Sequence, residues 1–147
     1  MIYFLNTIFV TAYPSENPMI EGILSTYSIG DYVSANCTSG KSNPLANLTW
    51  YINEVKLGKQ ADSWVWEYPP SPEESDSQGL HTKTVGLQFQ VLNTHLVNHG
   101  GFSPKVEIRC TSIVGESVRH MSVYPKLVRA LTSNKLAQER NFNSAGE

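Results

Sequence analysis

Cys37 and Cys110 are the two cysteines of this chain, and they stand roughly seventy residues apart. Each closes a run in which apolar residues alternate with polar ones: Val33, Ala35 and Cys37 share one face, and Val106, Ile108 and Cys110 share another. The separation excludes a clustered zinc or iron–sulfur site and leaves either two free thiols or one long-range bridge. Two cysteines facing inward from separate strands suggest a pin between sheets. Such a bridge would remove loop entropy from the unfolded chain and contribute on the order of 4 kcal/mol.

Between the cysteines, Leu48, Trp50 and Ile52 share a face of the segment Asn47 to Asn53. A Cys, a Trp about a dozen residues on, and a second Cys some sixty residues later is the spacing of the immunoglobulin sandwich, whose Trp packs on the disulfide. The expected architecture is therefore all-β: an immunoglobulin-like two-sheet Greek-key sandwich of C2 type with one inter-sheet disulfide. Leu87, Phe89 and Val91 alternate in a further strand, Met121 and Val123 in the last, and Gly115-Glu116 turns the chain between the final two. Pro18 to Gly22 supplies the first strand, giving sheets A-B-E and C-F-G. Ile108 stands two positions before the second cysteine, where a corner tyrosine is often found, so that corner must be held another way; a tight turn at Asn98-His99-Gly100-Gly101 is the expectation.

A chain of 147 residues supports one cored domain plus tails. We place the domain at residues 18–125, after an N-terminal extension (1–17) and before a polar, fraying tail (126–147). The first dozen residues are apolar and fit a strand, a weak signal sequence or the truncated start of a preceding domain; they are too few to span a bilayer, and no other stretch qualifies. Net charge is −2 with the basic residues scattered, which leaves no electrostatic footprint for nucleic acid or an anionic membrane. Residues 58–84 change in composition. Their proline and acid cluster reads as a mobile, solvated loop, while Trp64, Trp66 and Tyr68 alternate. This strip is either an exposed contact surface for a protein partner or a C′ or D strand laying its tryptophans on the core. The second reading is favoured, because large aromatics are mostly buried.

Asn36 and Asn47 each begin an N-x-[ST] acceptor for N-glycosylation, and the strand registers point both away from the core. Beside a structural disulfide they argue for an extracellular or cell-surface setting. Ala35 to Ser42 fits a loose nucleotide-phosphate pattern, yet a strand runs through the position of the glycine turn, and Pro44 denies a helix after Ser42. No nucleotide is expected. His95 and His99 have the spacing of a helical metal pair but no third ligand, and surface corner positions suit them better; His81 and His120 are isolated. With no nucleophile elbow and no paired carboxylates, the expectation is a protein without catalysis, metal or cofactor.

Ile20 to Gly22, Tyr27 to Asp31, Asn36 to Ser39, Asn47 to Asn53, Gly86 to Phe89 and Lys105 to Cys110 together resemble the second immunoglobulin-like domain of the insect Beaten path proteins, over roughly Pro18 to Pro125. The resemblance implies a neuronal cell-surface or secreted recognition protein that acts in axon guidance by binding Sidestep-type immunoglobulin receptors. In that family a V-type domain precedes this one and is expected to carry most of the partner contact, whereas Met1 to about Asn17 lie upstream here; the membrane anchor or lipid-linkage tail of some members is missing too, so a fragment or a secreted form is expected. Membrane association would then come through other segments or through the partner. The alternative is a secreted immune or carrier protein of immunoglobulin type that binds a ligand on the aromatic strip. If Cys37 and Cys110 are bridged, thiol titration of the native secreted chain finds no free sulfhydryl, and reduction lowers its unfolding free energy by about 4 kcal/mol.

Overall fold

Alternation in the strands translates directly into burial. In Tyr32–Thr38 the side chains of Val33, Ala35 and Cys37 are buried while Tyr32, Ser34 and Asn36 are exposed, the period-2 pattern of a strand with one face on a core. The structure, a computed structural model, describes residues 11–58, 63–69, 79–96 and 104–128. Its strands are β1 (Met19–Glu21), β2 (Thr26–Ser28), β3 (Tyr32–Thr38), β4 (Asn47–Ile52), β5 (Val55–Lys56), β6 (Ser63–Glu67), β7 (Thr84–Gln90), β8 (Ile108–Val114), β9 (Ser117–Val123) and β10 (Lys126–Val128). No helix among the described residues is long and apolar enough to cross a membrane.

Two four-stranded sheets form, ordered β1-β3-β7-β6 and β5-β4-β8-β9. They enclose one core that includes Val33, Cys37, Trp50, Leu87, Phe89 and Ile108. The A-B-E and C-F-G pairings each gain an edge strand: β6 joins β7 as a D strand, and β5 joins β4 through the two-residue turn Asn53-Glu54, both with positive φ as a type I′ hairpin requires. Gly115, at φ +56, turns β8 into β9.

Strand pairing continues past Pro125, where composition alone placed a polar tail. Residues Lys126–Val128 run parallel to Thr26–Ser28, with Leu127 beside Tyr27, and both of these side chains are buried. The short β2–β10 ribbon therefore ties the end of the last long strand back to the start of the domain. On the N-terminal side, Ala12 exchanges backbone hydrogen bonds with Asn43, short of the Pro18 boundary.

The corner before β8 is held by a carboxylate. Glu107 is buried, and its Oε2 accepts from Arg109 Nη2 at 2.7 Å, Tyr124 Oη at 3.0 Å and Ser122 Oγ at 3.1 Å. Its backbone is clamped as well: Glu107 N donates to Asn53 Oδ1 and Asn53 N donates to the Glu107 carbonyl. A tyrosine does serve this corner, but it is Tyr124, far along the chain, rather than a residue at position 108. The glycine turn expected at 98–101 lies outside the described residues. Burial pushes the Glu107 carboxyl up, but the hydrogen bonds from Arg109, Tyr124 and Ser122 outweigh it and hold the carboxyl below its ordinary value.

A carboxyl whose folded value is depressed stabilises fully above the unfolded value, and that contribution is lost as pH falls through the folded one. Acid titration should therefore erode stability below the ordinary glutamate range, and Glu107→Gln should flatten that part of the curve. Removing one donor with Tyr124→Phe should cost about 1 kcal/mol in chemical denaturation.

Candidate functional site

Strands β3 and β8 are the inner strands of their sheets, and the sulfurs of Cys37 and Cys110 join them, with Cα atoms 6.5 Å apart. Among the described residues there is no free cysteine. Trp50 pairs directly with Cys110 in the β4–β8 register and is 1% exposed, so the indole lies in the layer that the disulfide crosses. Its Nε1 has no hydrogen-bond partner. That cost, about 1–3 kcal/mol for a buried donor, falls on a side chain whose burial returns more than this.

The outward residues form two faces, and each carries one sequon. Asn36 lies on β3 in the outer face of the β1-β3-β7-β6 sheet, and Asn47 opens β4 on the other, opposite Ile113. Both asparagines are exposed.

The aromatic strip corrects the favoured reading of the sequence. Trp64-Val65-Trp66 does lie in a D strand, yet Trp64 is 52%, Trp66 37% and Tyr68 40% exposed, so the tryptophans are not laid on the core. Register is the reason. Val65 pairs with Leu87, an inward residue, so Trp64, opposite Gln88, and Trp66, opposite Gly86, take the outward parity, and because β6 is an edge strand even Val65 is 39% exposed. Tyr68 continues the strip by donating its backbone N–H to the Thr84 carbonyl at 3.1 Å.

Gly86 determines how Trp66 lies. A Cβ built on Gly86 would overlap the six-membered ring and Nε1 of Trp66, so the indole rests directly on the glycine backbone. An aromatic covering a cross-strand glycine shields backbone that would otherwise be wet. Across the same row of the sheet stand Asn36, opposite Gly86, and Glu21, opposite Asn36. Tyr68 Oη donates to Asn36 Oδ1 at 3.3 Å and meets Trp66 edge-on, with ring centroids 6.3 Å apart. An open cleft of about 450 Å³ lies among Glu21, Ser34, Asn36, Trp66 and Tyr68. The sequence signals for it, a sequon in one strand and an aromatic run in another, carry no mark of being neighbours.

The remaining candidates take structural places. His95 is half-buried rather than on the surface: its Nδ1 accepts from Leu92 N at 2.9 Å and its ring meets Phe89 edge-on. His99 lies outside the described residues, as does most of the proline and acid cluster. His120 is exposed on β9, and His81 exchanges backbone bonds with Ser42. Within the loose phosphate pattern, β3 runs on to Thr38, and Ser42 Oγ donates to the Pro44 carbonyl across a cis Asn43–Pro44 peptide. No group of three or more His, Cys, Asp or Glu positioned to hold a metal occurs among the described residues.

Gly86→Ala should force the indole off the sheet at a cost of about 1–3 kcal/mol and red-shift tryptophan emission. Combining it with Trp66→Ala should recover part of that cost, measured by denaturation of the single and double variants.

No protein-family model matches the chain, and no curated protein matches it. Among solved structures, the crystal structure of Rst D1-D2 is similar, with a TM-score of 0.55 and 18% identity, over 78% of this chain and 50% of that one. The full ectodomain (Ig1-Ig3) of mouse nectin-like molecule 4 is similar with a TM-score of 0.51 and 17% identity, over 79% of this chain and 34% of that one. The chain thus spans about half of the first and a third of the second. The likeness shows the fold, an immunoglobulin-like sandwich, whose two sheets are joined here by the Cys37–Cys110 disulfide.

Proposed function

We propose that this chain is a non-enzymatic recognition or adhesion module that works outside the cell or at its surface. The observation that carries the reading is the Cys37–Cys110 bridge between sheets that each expose a sequon asparagine on the outer face. Disulfides persist in oxidising compartments, and a sandwich pinned through its middle is a rigid body suited to presenting a surface or spacing a neighbouring domain. The resemblance to the Beaten path proteins gives this role its finer form: binding a Sidestep-type immunoglobulin-superfamily receptor in axon guidance.

A second reading has its own support. Large aromatics are enriched at protein contacts, and Trp64, Trp66 and Tyr68 stand exposed in a row on an edge strand. A secreted immune or carrier protein of immunoglobulin type would take its ligand there.

Chain secreted from insect cells should bind Sidestep-type ectodomains immobilised on a sensor surface, and not an unrelated immunoglobulin ectodomain. Equal or absent signal on both would reject the receptor assignment. Trp64→Ala removes the most exposed indole without disturbing Gly86; a tenfold or greater loss of affinity for the receptor would place its contact on the strip, and an unchanged affinity would place that contact elsewhere.

A further inference from the structure

Resting on the extracellular reading above, we propose that the cleft beside Trp66 and Tyr68 is the seat of a glycan attached to Asn36 of the same chain. The exposed indole is then covered by the protein's own first sugar, and Trp64 is left as the accessible aromatic of the strip.

Three observations converge on one place. Asn36 begins an acceptor sequence with Thr38 two residues on, and it is exposed on the outer face of β3. Its cross-strand neighbour is Gly86, whose missing side chain is replaced by the Trp66 indole, so a flat apolar surface lies within one strand spacing of the acceptor, about 4.8 Å. Tyr68 holds Asn36 by Oδ1, the amide atom that does not take the sugar.

In the transfer, Asn36 Nδ2 attacks the anomeric carbon of an oligosaccharide on a lipid pyrophosphate. The C1–N bond forms, the C1–O bond breaks, the lipid pyrophosphate leaves, and the amide nitrogen gives up one proton. The amide carbonyl survives, so the Tyr68 hydrogen bond can persist in the product. Cys37 sits in the middle of the acceptor, but during synthesis residue 36 emerges well before Cys110, so the acceptor is available before the bridge can close.

The cleft suits a pyranose. Its volume of about 450 Å³ falls in the range of small-ligand sites. The electron-rich indole face attracts the partly positive C–H groups of a sugar ring, while Glu21 and Ser34 on the rim offer partners to its hydroxyls. Because the sugar is tethered to the cleft wall, docking costs none of the translational freedom that a separate ligand gives up.

The test uses the full chain secreted from insect cells. Glycopeptide mass spectrometry should find Asn36 occupied, and a glycosidase then trims each glycan to its first sugar. Removing that sugar by blocking oligosaccharide transfer during expression of an Asn47→Gln chain leaves the Thr38–Thr84 and Tyr68–Asn36 side-chain hydrogen bonds in place, and it should lower the thermal midpoint by on the order of 4 °C. In a Tyr68→Ala or Trp66→Leu background the same removal should change the midpoint by no more than the error. Tyr68→Ala leaves Gly86 and its cover intact, so that comparison stands even where Trp66→Leu fails to fold. Asn47 occupied with Asn36 bare would overturn this inference alone, as would an Asn36 sugar whose removal costs the same with and without the aromatics. Secreted chain without sugar on either asparagine would overturn it and count against the extracellular reading as well.

Discussion

Because Cys37 and Cys110 are joined across the layer between the sheets, both side chains must point into it, and the two-residue period of a strand then assigns a side to every neighbour. In β3 this sends Val33 and Ala35 inward and Ser34 and Asn36 outward; in β8 it buries Ile108 and Val114 and turns Ile113 out. Hydrogen-bonded registers carry the assignment across each sheet. Trp50 is buried because it pairs with Cys110, and Trp66 is outside because it pairs with Gly86, whose strand neighbours Val85 and Leu87 face the core. The inward parity of the bridge is thereby carried to Trp50 one strand away, which is core, and to Trp66 two strands away, which is surface.

The same parity gives the two outer faces different characters. On the β1-β3-β7-β6 sheet, a glycine and an indole from adjacent strands combine into a shielded apolar surface beside an acceptor asparagine. The other sheet is a mixture of polar and apolar side chains, in which Tyr51, Arg109 and Ser122 share one row and Asn47, Ile113 and Val118 another. A partner protein and a tethered sugar make different demands on such surfaces. The partner must repay lost freedom with buried area, whereas a sugar bonded to the wall needs only a surface within reach.

At the corner before β8, one buried glutamate gathers Asn53 of the β4–β5 turn by its backbone, and Arg109 of β8, Ser122 of β9 and Tyr124 just after β9 by its carboxylate. Its charge is tolerated there because three donors, one of them the Arg109 guanidinium, replace the water it gave up. The arrangement does the work of a tyrosine corner by another route, tying β9 to β8 through Ser122 and Tyr124 rather than through a residue near the second cysteine.

Alternation, cysteine spacing and the position of Trp50 are local or covalent patterns, and they sufficed to read the sandwich, the disulfide and the outward direction of Asn36 and Asn47. The apolar run at 64–68 was legible as a strand but not as to which way it faced, since its parity depends on pairing with Gly86 rather than on its own residues. The parallel β2–β10 ribbon, the Glu107 corner and the cleft at Asn36 were likewise decided by the tertiary structure alone. Each brings together residues far apart in the chain, whose contact arises from sheet register. A strand's own sequence records its period of two, and carries no mark of which strand will lie beside it.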